Sequence, residues 1–461
     1  MEQILADFEE KLKGQTTLLQ FELVLVKELS VLFSLVITAL LERLDLRLYQ
    51  QLSGAQVLRR DSRTLNGLLG SITFKRRLVQ RPDGTQGYLL DEYLKIPSRR
   101  RYSPALTSIV AALASKSPYR VIEAAVNALT PVTISHSAVG TMVKQVGHDI
   151  EKTRRMEAQK VDQTVELKQL PVLYLEGDAF EVKLKKGRTM VHRFQVFEGV
   201  AYHGKRHSLI NRYEVTNRSR QVAIEEMMTY LRNRYDLHNT LVITSSDNGS
   251  GYEACVFSEL ALGAQRQIHL LDQYHMNRKL KERLPDQPKL VSKLQSALYH
   301  GNWHLAEVCL DTAESLVVSD ELEEYQEKLA AIHQLRGYLK RNWANIKPFS
   351  DPDLNGQLAG IGSCESNHRR YTYRLKHQGK SWGKSGLDAM LRIIDAQQND
   401  NYRQSLIKAG YIDLTPIKAV PSVTRSVLRE VKSEHLGITS GRIYVDTATS
   451  SASGHLAKIF R

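Results

Sequence analysis

Between Leu170 and Leu271 the order of apolar runs restricts the fold more than any other feature of the chain. Residues 171–184, Val191–Tyr202 and Leu209–Val215 read as three successive strands, with Phe194, Val196 and Phe197 giving the second its apolar character. A helix at Gln221–Tyr235 follows, then the strands Leu241–Thr244 and Ile268–Leu271. Three strands, a helix, and then strands alternating with helices predict an α/β fold around a mixed sheet.

The flanking segments have other periods. In residues 1–55, apolar side chains recur at helical steps (Phe21, Val24, Val31, Phe33, Val36), which predicts a helical arm for packing or self-association. Its most apolar run, Val31–Leu41, is about half a membrane-spanning length and is flanked by Lys27, Glu28 and Glu42. It reads as the buried stripe of an amphipathic helix, with no membrane partner expected. Within residues 56–150, Leu65–Leu90 alternates like a strand pair (Ile72, Phe74, Leu78, Val79) around a turn at Pro82-Asp83-Gly84, which predicts a β-hairpin. Ser103-Pro104, Ser117-Pro118 and Ser135 then open three helices, an order that fits a helix-turn-helix as well as any three-helix bundle. Residues 276–350 and the block after Gly362 are helical in pattern, and a tail spans 401–461.

Charge narrows the function classes. The 461 residues include 64 Lys+Arg and 50 Asp+Glu, a formal net charge of +14 that calls for a polyanionic partner. The first residues carry Glu2, Asp7, Glu9 and Glu10 rather than the basic start of a signal peptide. Cys255, Cys309 and Cys364 form no CxxC pair, so neither a disulfide framework nor a zinc site is expected and the reading is cytoplasmic.

Three acids stand where chemistry would be. The run Val172–Leu175 delivers Glu176-Gly177-Asp178, with Glu176 and Asp178 on one face of the strand and Leu175 on the other. The strand Leu241–Thr244 ends in Ser245-Ser246-Asp247-Asn248-Gly249, at the carboxyl end where α/β sheets bind ligands. Glu365 opens a basic helical stretch. Converging carboxylates need cations, and all-oxygen ligands suit Mg²⁺ or Mn²⁺; two ions per site could activate and stabilise the oxygens of a phosphodiester cleavage.

The order strand–Asp178, strand–Asp247, helical insertion, helix–Glu365 resembles the ribonuclease H-like catalytic core of DDE transposases. Asp272-Gln273-Tyr274-His275, followed by Arg278, is similar to the Cys/Asp-x-x-His signature of Mutator-related transposases. Leu90-Asp91-Glu92, Ser117-Pro118-Tyr119-Arg120 and Leu175–Asp178 most resemble the ISLre-type insertion-sequence transposases, a likeness covering roughly residues 55–400. The resemblance implies a core split into 165–275 and 351–400 around an insertion at 276–350, with 56–150 binding DNA and 401–461 a basic tail. Asp178, Asp247 and Glu365 would be the catalytic metal ligands, with Glu176 as the alternative first acid. Double-stranded DNA, both element ends and target, would be the partner of a homodimer or larger assembly in the bacterial cytoplasm, at the nucleoid.

DNA contacts are expected from two places. Arg76 and Arg77 of the hairpin and the run Arg99, Arg100 and Arg101 would meet phosphates of the element ends. After Glu365, six basic residues and no acids lie between Ser366 and Lys384. There Arg369, Arg370, Arg374 and Lys376 would track the backbone while Trp382 stacks on a displaced base. His275 reads first as a histidine hydrogen-bonded beneath the site; a role beside Arg278 in positioning DNA is implied by the resemblance alone. A metal-dependent nuclease without strand transfer, or a catalytically silent DNA-binding regulator, would use the same basic surfaces.

Overall fold

The structure, a computed structural model, describes residues 2–158, 166–204, 206–319, 321–354, 356–358, 361–377 and 379–412. The expected tail lies outside the described residues from position 413 onward.

Two helices open the chain, α1 (Glu2–Leu12) and the 33-residue α2 (Leu18–Gln50), the latter capped by Thr17, which accepts from the Gln20 amide. Strands β1 (Gln56–Gly67) and β2 (Gly70–Gln80) form an antiparallel hairpin, and β3 (Gln86–Tyr88) adds a short third strand to β2. The main reversal is therefore at Gly67–Gly70, where Gly70 takes a φ of 134°. Pro82–Gly84 makes only the later, shorter turn. β1 is polar on both faces and mostly exposed, so it carries no apolar alternation by which to be read.

The expectation of a buried apolar stripe on α2 is corrected. Its polar side chains face inward and cap the open edge of β2. Ser34 Oγ donates to the Ser71 carbonyl (3.0 Å), and Thr38 Oγ1 donates to that of Thr73 (3.2 Å). The Lys75 amide donates to Glu42 (2.9 Å), and that of Arg77 to Asp45 (3.3 Å). Four alternate backbone groups of an edge strand are satisfied in this way. By length and composition α2 could cross a membrane, and its apolar residues lie outside, Leu18 being 73% and Leu35 64% exposed. Asp45 is buried and paired with Arg77 at 2.5 Å. Asp45→Ala is expected to leave that guanidinium without its partner and to cost about 1–3 kcal/mol, read as a lower urea midpoint.

After α3 (Leu89–Tyr93) come α4 (Pro104–Ala114), α5 (Tyr119–Leu129) and α6 (His136–Ala158). Ser103 and Ser135 accept from the amides of Leu106 and Ala138, so the predicted starts coincide with real caps. These helices do not close a core of their own. Val110, Ile122, Val139 and Val143 share one with Phe180, Tyr371, Trp382 and Met390 from much later in the chain.

The central element is a mixed five-stranded sheet. Its strands are β5 (Val172–Lys183), β6 (Arg188–Phe197), β9 (Tyr213–Asn217), β11 (Leu241–Ser246) and β12 (Arg266–Leu271). The spatial order is β12-β11-β5-β6-β9; β12, β11 and β5 run parallel, and β6 and β9 antiparallel to their neighbours. Short pairs β4 (Lys168–Gln169) with β10 (Tyr235–Asp236) and β7 (Gly199–His203) with β8 (Arg206–Ile210) lie outside it. Helices α7 (Arg220–Arg232) and α8 (Ala254–Leu260) cover the face holding Leu173, Leu175, Phe194 and Val196. The region predicted as a helical insertion holds α9 (Gln273–Arg283), α10 (Pro288–Tyr299), α11 (Trp303–Ser315), α12 (Leu322–Arg341) and α13 (Trp343–Ile346), packed about Met276, Leu294, Leu310 and Leu335. Helices α14 (Ser363–Leu375), α15 (Lys384–Gln398) and α16 (Tyr402–Lys408) complete the described chain.

Candidate active site across three parallel strands

Strand register brings the acids together. Ser245 of β11 is level with Glu176 of β5, and Ser246 with Leu271 of β12. Two residues past the first pair stand Asp178 and Asp247; one residue past the second stand Asp247 and Asp272. With adjacent strands about 4.8 Å apart, Asp247 and Asp272 follow the ends of β11 and β12, and Asp178 stands level with them in the middle of the longer β5. Asp247 is held by its own turn: its Oδ1 accepts from the Gly249 amide at 2.9 Å, and Asn248 takes the left-handed φ of 54° that Asn tolerates. Asp178 accepts from the Ala179 amide, and His368 Nδ1 lies 3.6 Å from its other oxygen. The glycine between Glu176 and Asp178 is forced by packing, since a Cβ there would sit 2.8 Å from Phe194 and 2.9 Å from Phe257.

Glu176 and Asp178 share a face, as expected, but have different work. Glu176 is buried and spent on the start of α14. It accepts from the Gly362 amide (2.5 Å), the Ser363 amide (3.3 Å) and Ser363 Oγ (2.8 Å), and also from Gln195. Burial pushes its carboxyl up to about 7 against those hydrogen bonds. Gly362 takes a φ of 83° at this junction, a conformation that suits glycine. Glu365 is the third residue of α14; its backbone is thereby tied to β5, while its side chain lies outside the described residues. Asp178 on the same central strand is partly buried, its side chain 16% exposed.

Three further residues, Asp272, Lys279 and His368, were not singled out from the sequence as site residues. Asp272 caps α9, accepting from the His275 amide at 2.9 Å, with the His275 ring 3.3 Å away. Burial opposes its ionisation, but the His275 contacts hold the carboxyl below its ordinary value. His275 is raised in turn, first by Asp272 against burial, then by the charges of Asp178 and Asp247. The ring is half-buried, its Nδ1 3.3 Å from Asp272 Oδ1, while the hydrogen bond to that carboxylate comes from the His275 backbone amide. Lys279, one turn on, places its ammonium 3.9 Å over the Tyr338 ring and feels the charge of Asp247. His368 is buried and held neutral, its pKa pulled to about 3 by burial and then by Arg193, Lys376 and His275. Its place three residues after Glu365 on one helix is the spacing that could have revealed it. Among the described residues no three His, Cys, Asp or Glu side chains form a ready-made metal cage.

The cationic residues divide sharply. Arg374 and Trp382, expected on DNA, are 2% and 6% exposed. Arg374 Nε donates to the Ala114 carbonyl (2.6 Å) and the guanidinium stacks 4.8 Å from the Trp382 ring; the indole N–H donates to the Leu375 carbonyl (3.1 Å). A basic–aromatic helix read as a nucleic-acid surface is on this side a core wall, because α4–α6 pack against it. Arg369, Arg370, Lys376 and Tyr373 do face outward. In the hairpin, Arg76 pairs with Asp91 and stacks 3.7 Å over Tyr88, and Arg77 is taken by Asp45, so both brace the sheet. Arg100 is half-buried against Asp149 (3.0 Å), whereas Arg99 and Arg101 are exposed. Arg278 is exposed and lies 3.4 Å from Glu282.

A pH test bears on the sheet beneath the acids. His269 on β12 is buried, with Nδ1 2.8 Å from Thr244 Oγ1, and burial pulls its pKa from 6.5 to about 4. The folded chain prefers the neutral ring, so this stabilisation is complete above pH 6.5 and is lost as pH falls towards 4. The difference, 6.5 − 4, corresponds to about 3 kcal/mol. His269→Gln is expected to flatten that part of the stability–pH curve relative to wild type, measured by urea denaturation across the range.

A mixed α/β chain with acids level with one another across three adjacent parallel strands is thus what the fold and site define. The chain belongs to the UPF0236 family, whose model, described as an uncharacterised protein family, matches residues 12–406. It is 34% identical over 469 aligned residues to a UPF0236 protein in the vanSb 3′ region of Streptococcus gallolyticus, covering 99% of each chain. A UPF0236 protein of Caldanaerobacter subterraneus subsp. tengcongensis is 24% identical over 385 residues, 81% of this chain and 76% of its own. Another from that organism, 24% identical over 390 residues (81% of this chain, 76% of its own), has a name that joins eleven locus designations.

Proposed function

We propose that this protein is a DDE-type transposase that cuts the ends of an insertion sequence and joins their 3′-hydroxyls to target DNA. The observation that carries the reading is the level placement of Asp178 on β5 and Asp247 just past β11, with the start of α14, which bears Glu365, bound to Glu176 on the same strand as Asp178. The sheet order, three antiparallel-linked strands followed by two returning parallel to the first, is in keeping with a ribonuclease H-like core. A relative named for eleven loci in one genome is in keeping with a self-copying element.

The donor chemistry fits Mg²⁺ or Mn²⁺: Asp178 and Asp247 offer hard carboxylate oxygens, while the nearby imidazoles of His275 and His368 already face Asp272 and Asp178. Asp178, Asp247 and Glu365 would hold such ions, which when bound supply Lewis acidity for water attack and for the leaving oxygen. Asp272 and His275 set the position of α9 beneath the acids, and neutral His368 orients the Asp178 carboxylate. Arg369, Arg370 and Lys376 supply phosphate contacts beside them. Arg370 also borders an open cleft of about 1,030 Å³ with Arg212, Arg234 and Asn399.

The test incubates the purified chain and Mg²⁺ with labelled DNA flanking its own gene and a target plasmid. Nicked ends and joined products support the reading; nicking without joining leaves a nuclease, and specific binding without either leaves a regulator. Arg369→Ala should remove one phosphate contact and lower the slope of log K against log [salt] by about one. Binding isotherms at several salt concentrations check it.

A further inference from the structure

Lys279 stands beside the acids without a carboxylate of its own. It follows His275 by four residues on α9, so the two side chains share a face of that helix. It is half-buried, and among the described residues its ammonium makes no ion pair. Glu282, the next acid along α9, lies against Arg278 instead, at 3.4 Å. The Lys279 ammonium rests 3.9 Å over the Tyr338 ring, in the field of Asp247. Partly burying a cation without a counterion is unfavourable, and a ring face offsets only some of that cost.

A short chain of hydrogen bonds fastens this arrangement to the acids. Asn248, next to Asp247, donates from Nδ2 to Asn342 Oδ1 (2.6 Å), and the buried Asn342 donates from its own Nδ2 to the Tyr338 carbonyl (2.8 Å). The platform under Lys279 is thereby fixed relative to the turn that carries Asp247. The Tyr338 hydroxyl is buried and has no hydrogen-bond partner among the described residues, so the ring face is what this residue contributes.

Resting on the catalytic reading above, we propose that Lys279 is a substrate-positioning residue: held on the Tyr338 ring, it receives a phosphate oxygen of the DNA strand on which the acids act. Carboxylates and phosphodiesters repel each other, and metal ions neutralise only the oxygens they bind. A phosphate neighbouring the scissile one therefore needs a cation from the protein. Lys279 is such a cation, already partly desolvated and not engaged by a carboxylate. A lysine that only braced the fold would close onto an acid; the Tyr338 ring holds this one available.

Methylphosphonate scanning tests the contact without requiring cleavage. Duplexes of the DNA flanking the gene carry one uncharged methylphosphonate at a time, and their binding to the full chain is measured with Ca²⁺ in place of Mg²⁺. Lys279→Met, which keeps an apolar stem against the ring, should weaken binding of the unmodified duplex about tenfold, the size expected for one charge-assisted hydrogen bond. At one phosphate the methylphosphonate should cost wild type a similar factor and cost the variant nothing more, as in a direct pair. Tyr338→Leu should lose that coupling with Lys279 still present, and Tyr338→Phe, which restores the ring, should recover it. Far-ultraviolet circular dichroism checks folding, with Lys279→Gln taking over if Lys279→Met does not fold. Additive losses at every phosphate, coupling that survives in Tyr338→Leu, or a chain that binds no DNA would each overturn the proposal. Coupling in a chain that never nicks DNA in Mg²⁺ supports the contact and removes the transposase reading alone; nicking without coupling removes the contact alone.

Discussion

Asp247→Asn is expected to lower metal-dependent cleavage of element-end DNA by more than about 10³-fold, the upper range for a single electrostatic group at a reacting centre. The amide preserves the turn, because Asn can still accept from the Gly249 amide, but it removes the charge on which cation binding rests. Asp178→Asn should act alike, since that residue stands level with Asp247 on the neighbouring strand. Glu176→Gln is the contrasting variant. Glu176 is buried against α14, so its amide should keep cleavage wherever the protein folds. Single-turnover assays with gel-resolved products, alongside binding isotherms, separate chemistry from affinity. An inactive Glu176→Gln that folds, paired with an active Asp178→Asn, would reverse the assignment of the first acid.

Trp382→Ala is expected to destabilise the folded chain by about 3–5 kcal/mol, the usual range for removing a buried large aromatic. The indole fills the core between α5 and α14, edge-on to Tyr119 and stacked by Arg374. Its backbone also joins β5: the Trp382 amide donates to the Lys183 carbonyl, and the Lys185 amide to that of Trp382. The loss should appear in a urea titration, with the salt dependence of DNA binding left at its wild-type slope. A variant of wild-type stability that has lost DNA affinity would return Trp382 to the nucleic-acid surface.

Local chemistry was legible where it acts over a few residues. Ser103 and Ser135 marked helix starts because each accepts an amide three positions on, and Pro118 marked that of α5, which carries no side-chain cap, by the φ that proline fixes. The runs at 171–184, Leu241–Thr244 and Ile268–Leu271 became strands of the main sheet, whereas Val191–Tyr202 and Leu209–Val215 were each split, β7 and β8 pairing apart from β6 and β9. The Gly67–Gly70 turn was missed because β1, polar on both faces, carries no period-two signal. Asp272 and His275 were visible as a motif, but their hydrogen-bonded union beneath the acids depends on β12 lying next to β11.

The remaining differences concern which face of an element is covered, and by what. The run from Arg369 to Trp382 has the same composition whether it lies on DNA or against protein; α4–α6 packing on α14 buried Arg374 and Trp382 and left Arg369, Arg370 and Lys376 outside. Helix α2 has apolar residues around most of its circumference, so periodicity could not say which side is inward. The open edge of β2 decided it, because unpaired amides and carbonyls attract the polar side. Sequence by itself determined the α/β class and the helix starts of α4–α6, since periodicity and capping are short-range. Only tertiary structure decided that Glu176 braces α14 while Asp178 faces His368, because burial and hydrogen-bond partners come from residues nearly two hundred positions away.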